Sequence, residues 1–507
     1  MVRRKRNLVL VLILFLALSL VGCEKRQEVQ IPSNEEISEV NLLNESKLNL
    51  DKVNEYTIEV ELNPLDMTYK GKQKVSYINK TGKDLKEIYF HLYPNAFSSL
   101  EDAPILFKIG ETMDKRTYSP GYINIEKVSI GHKEQEWSIE GDQDTILGIH
   151  LDETLKKNGE VEIYLEYTVK VPSTKDRFGY HNYGINLGNW YPILAVYDEK
   201  GWNLDPYYKL GDPFYSEVSN YKVSITAPKD YLVAASGTII SETDKDGKIT
   251  YNIEGNLIRD FAWAASKFFT LKERNVDGIK LKVYSIDDNE SLIDEALTMG
   301  ENSLKVFNRV FGKYPYEEYT IVITQFPSGM EYPTIVFISN DYFNKPLLNT
   351  LEKVIVHETA HQWWYGLVGN DQIDEAWLDE SLATYSEVIY TSEIYGKDAG
   401  EDYLNENIKL GYEYMVEYLG GDEVANKPLS EFNGWDDYSL LVYIRGAMFI
   451  DKIKEDYGEE TLYEILRTYY NKYKYQIAST KDFIKVCEDI TKDSFEALVN
   501  EYLYGNK

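Results

Sequence analysis

The sequence predicts a multidomain chain in which an all-β domain of sandwich type precedes an α+β domain, behind an N-terminal segment outside the fold. Three observations carry that reading. The 507 residues exceed what one ordinary core organises. From Tyr56 to about Leu271 the apolar residues recur with period two. Near Glu273 the pattern turns helical and, one short strand apart, stays so to the C-terminus. The expected boundaries are 1–22 for a signal peptide, 23–54 for a flexible tether, 55–272 for the β domain and 273–507 for the second domain.

At the N-terminus Arg3, Arg4, Lys5 and Arg6 form a positive start, and Leu8 to Val21 is apolar apart from Ser19. That run is shorter than the ~18 residues of a spanning helix and fits a secretory signal. It ends in Leu20-Val21-Gly22-Cys23, which resembles the lipobox of bacterial lipoproteins. The resemblance implies cleavage before Cys23, a lipid on its sulfur, and a protein anchored on the extracytoplasmic face of a cell membrane. Only Cys487 is left, so no intrachain disulfide forms and stability rests on packing. From Glu24 to about Asn54 the Glu, Asn, Ser, Lys and Gln content is that of a tether. The formal charge of −30 argues against nucleic acid as a partner, because that binding needs basic side chains against phosphates.

The β domain is marked by Tyr56-Thr-Ile58-Glu-Val60-Glu-Leu62, by the alternation from Val161 to Val169, and by Tyr221-Lys-Val223-Ser-Ile225. Asn158-Gly159 and Asp246-Gly247 are hairpin signals. In the second domain Leu292, Ile293, Ala296, Leu297, Leu304, Phe307 and Phe311 share one helical face until Gly312. Tyr319 to Phe326 reads as a short strand, and helices dominate from Asn349, where Asn349 and Glu352 resemble a capping pair.

The chemistry lies in His357-Glu358-Thr359-Ala360-His361, an H-E-x-x-H motif. Positions i and i+4 project from one helical face, so both imidazoles reach one zinc ion while the intervening glutamate points beside it. Catalytic zinc takes a third protein ligand and leaves a position for water. Spacing leaves Glu375, Asp379 and Glu380 as candidates, in a helical stretch from Asp374 to Ala383.

Several ordered elements agree with one known family. Gln362-Trp363-Trp364 follows the second histidine, and Trp377-Leu378-Asp379-Glu380 lies beyond, with eighteen residues between His361 and Glu380. Ser328-Gly329-Met330-Glu331-Tyr332 precedes the motif, and Val442-Tyr443-Ile444-Arg445-Gly446 follows it. From Tyr56 to the C-terminus the chain resembles the aminopeptidase N family of zinc metallopeptidases, the gluzincins. The resemblance implies a β-saddle domain before a thermolysin-like domain, one zinc ion per chain, and Glu380 as third ligand. It implies Glu358 as general base, Tyr443 as the hydroxyl facing the oxyanion, and Gly329, Met330 and Glu331 as substrate-binding residues. Glu331 would meet the free amine of a peptide.

Three departures bear on those roles. Tyr332 replaces the family's Asn. The Gln-containing segment that helps to bind the amine gives way to Asn189-Trp190-Tyr191-Pro192. The sequence runs only to Lys507 beyond the catalytic pattern, which implies a more open site. Asp374 is expected to orient a ligand histidine. The expected activity is removal of N-terminal residues from peptides. The alternatives are a zinc endopeptidase without amine selection and a tethered peptide-binding protein without turnover, against which the intact His357, Glu358, His361, Glu380 and Tyr443 argue.

Overall fold

A computed structural model describes residues 52–104, 118–419 and 424–505. The signal peptide, Cys23 and nearly all of the tether lie outside the described residues.

The period-two segments become strands with one buried face. Asn54–Asn63, Glu160–Lys170 and Ser219–Pro228 all belong to one eight-stranded sheet. Within it Asn54–Asn63 pairs parallel with Ser219–Pro228 and antiparallel with Thr68–Ile78, with Tyr56, Ile58, Val60 and Leu62 buried. Two four-stranded sheets and the two-stranded ribbon of Tyr197–Asp198 with Gly201–Trp202 complete the β region. One four-stranded sheet contains Leu85–His91 and Ile146–Leu155; the other contains Gly184–Leu187 and Trp263–Ser266. The two turn signals hold. Asp246 and Gly247 both take positive φ between Thr238–Lys245 and Lys248–Ile258, and Asn158 takes φ of 59° before Gly159. Positive φ at both hairpin positions matches the twist of the flanking strands.

The second region opens with a five-stranded sheet in the order Thr270–Val276, Ile279–Ser285, Glu318–Thr324, Ile335–Ser339, Gly329–Met330. Glu290–Val310 packs against it, capped by Asn289, and every apolar residue predicted for its inner face is buried. Each such burial contributes roughly 1.5–3 kcal/mol. Gly312, with φ of 133°, ends the pattern. Helices then follow to the C-terminus, and they include Leu348–Ala360, Trp377–Tyr395, Glu459–Tyr473 and Thr480–Thr491. Cys487 is free and buried among them, where burial pushes its thiol up. Among the described residues no helix is long and apolar enough to cross a membrane.

One local expectation fails. Asn349 does not cap: the helix starts at Leu348 after Leu347, with no side-chain cap. Glu352 instead accepts the hydroxyls of Tyr390 and Tyr395, 2.8 and 2.7 Å away, so tertiary partners outcompete the local capping pair.

Candidate metal centre

His357 lies in the last turn of Leu348–Ala360, and His361 is its C-cap, still in helical conformation at φ −61°, ψ −15°. The two rings therefore lie on one face and meet edge to face, with centroids 4.8 Å apart and planes at 75°. Trp377–Tyr395 brings Glu380 against them. His357 Nε2, His361 Nε2 and Glu380 Oε2 stand 3.2 Å from one another in all three pairings. A tetrahedral zinc site with bonds of about 2.0–2.1 Å needs neighbouring donors roughly 3.3 Å apart, so the trio fits that ion.

The other ring nitrogens fix the tautomers. His357 Nδ1 donates to Glu387 Oε1 at 2.8 Å, and His361 Nδ1 donates to the Trp364 carbonyl at 3.0 Å. Both Nε2 lone pairs are thereby turned to the metal position. Glu387 is itself held by the Tyr403 hydroxyl and by Lys353 at 3.6 Å. Asp374 does not orient a histidine; its carboxylate is taken by Lys200 at a partly exposed position. Sequence reading missed Glu387, although its place seven residues after Glu380, two helical turns on, was an available signal.

The acidic ambiguity resolves through partners. Glu375 Oε2 accepts from Thr480 N at 2.7 Å. The two Asp379 oxygens take amide hydrogens from Asn370 at 2.8 Å and Gln372 at 2.7 Å. Only Glu380 of the three meets both histidines. Burial favours its neutral form, but His361 and His357 hold its carboxyl well below the usual carboxylate range. A second trio, Glu331, His361 and Asp379, also lies within 4.8 Å, yet Asp379 is committed to those amides.

Glu358 sits beside the metal position and is buried, and its Oε2 finds no hydrogen-bond partner among the described residues. Burial pushes its carboxyl up to about 7, against the pull of His357 and His361. Gly329 is obligatory here: a Cβ on it would lie 1.9 Å from Glu358 Oε1. The edge strand Gly329–Met330, paired with Ile335–Ser339, is thus pressed against the motif helix and delivers Glu331 to the site. Glu331 is 3% exposed, which excludes a solvated edge glutamate. Burial, with the charge of Asp212 nearby, holds its carboxyl well above the usual range.

Tyr443 lies in a π-helical turn, Ser439–Arg445, and its hydroxyl donates to Glu380 Oε1 at 2.8 Å. Such turns displace one side chain from the regular ladder and recur at functional sites. Ser381 Oγ pins the Val442 carbonyl at 2.6 Å, and a Cβ on Gly446 would meet that same Oγ at 1.7 Å. Tyr332 is buried deeper than an edge position. Its hydroxyl donates to Asn189 Oδ1 at 2.9 Å, and a Cβ on Gly188 would collide with it at 1.8 Å. Trp190 and Tyr191 of the same segment are core residues, bonded to the Phe261 carbonyl at 2.9 Å and the Tyr221 hydroxyl at 3.0 Å.

A β region before a helical region that carries this donor set is the arrangement that the resemblance to the gluzincins implies. Comparison with known proteins narrows the class. Residues 295–502 match the peptidase family M1 domain. The chain is 23% identical over 305 residues to aminopeptidase 2, mitochondrial, of Saccharomyces cerevisiae, covering 57% of this chain and 30% of that one. It is 24% identical over 257 residues to endoplasmic reticulum aminopeptidase 2 of Homo sapiens, covering 46% and 26%. It thus spans about a third or less of the length of these curated relatives. The fold matches an M1 zinc metallopeptidase from Deinococcus radiodurans at a TM-score of 0.61, with 16% identity, over 89% of this chain and 94% of that one. Residues 295–502 thus carry the peptidase family M1 domain, and the donor set within them fits zinc.

Proposed function

We propose that this protein is a zinc aminopeptidase that removes the first residue of peptides carrying a free N-terminus. One observation carries the amine selection: Glu331 is a buried carboxyl directly after the strand whose Gly329 lies against Glu358. An exopeptidase must place the first carbonyl of the substrate rather than any other. A buried carboxyl does so by holding the terminal ammonium, whose positive charge draws the raised carboxyl back to its ionised form and makes a contact that gains strength away from water.

His357, His361 and Glu380 would hold the zinc, which when bound supplies Lewis acidity and a water of lowered pKa. Glu358 takes the proton of the attacking water at its unpartnered Oε2 and passes it to the departing amine. Tyr443 presents its hydroxyl to the negative charge that develops on the carbonyl oxygen. Gly329 and Met330 extend the edge strand along which the substrate backbone lies. A mutant of the Deinococcus radiodurans protein bound to a Tyr-Ser-Ala substrate supports a short peptide as the substrate class.

The N-terminal lipobox-like sequence supports a lipid anchor at Cys23 on the extracytoplasmic face of the membrane. A mature N-terminus beyond Cys23 without lipid, seen by mass spectrometry, removes that part of the reading.

The activity is tested by supplying one short peptide with its amine free and N-acetylated. The free form is expected to be cleaved far faster. Equal rates identify an endopeptidase instead.

A further inference from the structure

We infer that Gln372 is the second residue of the amine subsite, its side-chain carbonyl accepting from the substrate's terminal ammonium while its amide nitrogen holds Glu331. The inference rests on the aminopeptidase reading and adds to it a residue from the loop between the two ligand-bearing helices.

Gln372 is 1% exposed. Its Nε2 donates to Glu331 Oε1 at 3.1 Å and to Asp379 Oδ2 at 2.7 Å. An amide nitrogen has two hydrogens, and here both are spent on carboxylates. That sets the amide's orientation, because a flipped amide would lose both donations. The Oε1 atom is therefore the acceptor left over. It is buried and has no hydrogen-bond partner among the described residues. Buried acceptors are rarely left so, and one beside a substrate-facing carboxylate points to a ligand donor. Bracing Glu331 against Asp379 would be served by Nε2 alone and leaves Oε1 unexplained.

The chemistry of an ammonium suits the arrangement. It offers three N–H donors, of which Glu331 can take some at its open lone pairs and Gln372 another. A neutral acceptor fits here better than a further acid. Glu331 already feels the charges of Asp212, Glu358 and Glu380, and another carboxylate would deepen that repulsion. The β region offers no rival from the segment that replaces the family's Gln element. Asn189 Oδ1 is taken by the Tyr332 hydroxyl, and Trp190 and Tyr191 are bonded within the core.

The test compares wild type with Gln372→Met, which keeps the side chain's length and removes both polar atoms. Substrates are one tripeptide and its des-amino analogue, with bound zinc measured in parallel. The variant is expected to lose about tenfold in kcat/KM on the free amine, chiefly through KM, and less than about twofold on the analogue, with zinc unchanged. Gln372→Asn withdraws the carbonyl by one carbon while keeping a buried amide; it is expected to show the same selective loss and covers a folding failure of the Met variant. An equal loss on both substrates, or none on the free amine, overturns the inference alone. A wild type indifferent to the amine removes the subsite and the aminopeptidase reading together.

Discussion

The metal corner and the amine corner of the site are built in opposite ways. His357, Glu358, His361, Glu380 and Glu387 come from two helices within 31 residues of sequence, and their orienting partners also lie in the helical region. Glu331, Gln372, Tyr332 and Asn189 come from a sheet edge, an inter-helix loop and the β region, and meet only through long-range packing. Local geometry protects the metal corner from change elsewhere. The amine corner depends on how two parts of the molecule meet, so it is where substrate selection can vary while the zinc chemistry is kept.

The largest effect expected is at the base. Glu358→Gln removes the proton acceptor but no zinc donor, so kcat should fall by about 10³-fold or more with zinc content unchanged. Turnover near wild type in a zinc-loaded variant would break the assignment of the metal corner as the seat of the chemistry. Glu387→Gln comes next. It weakens the hold on the His357 tautomer and should lower zinc affinity about 10–100-fold, with activity restored by excess zinc. Competition with a chelator reads this directly.

At the amine corner, Glu331→Ala should lower kcat/KM on a free-amine peptide by about tenfold or more, narrow the gap to the N-acetylated form, and leave zinc bound. Loss of zinc in this variant would show that the two corners are not separable. Gly188→Ala, in the β region, forces Tyr332 to move. It should raise KM for free-amine substrates by about threefold and cost roughly 1–3 kcal/mol of stability, without touching zinc affinity. The smallest effect belongs to Asp374→Asn. An exposed ion pair with Lys200 contributes about 0–1 kcal/mol, and neither zinc binding nor turnover should change.

The strands from Tyr56 to Leu62 and the helix from Leu292 to Phe311 were legible because half-buried elements must repeat their apolar residues at the period of their own geometry. The H-E-x-x-H pair was legible for the same reason, since ligand spacing is helical spacing. Glu387 was hidden although it lies on the same face as Glu380, because one more acid on an acidic chain carries no mark. The false cap at Asn349 shows the reverse error, a local pattern overruled when Glu352 found tyrosine partners from another helix.

By itself, then, the sequence determined the two-region architecture, the H-E-x-x-H spacing, and the family resemblance that points to Glu380 and Tyr443. Those features are written in fixed short spacings that backbone geometry enforces. Only tertiary structure chose Glu380 over Asp379 on physical grounds, by giving the Asp379 oxygens to Asn370 and Gln372. It alone buried Glu331, paired it with Gln372, and turned Tyr332 onto Asn189. The reason is desolvation: whether a polar group is a solvated surface residue or a binding group depends on which distant segments exclude water from it, and no spacing along the chain records that.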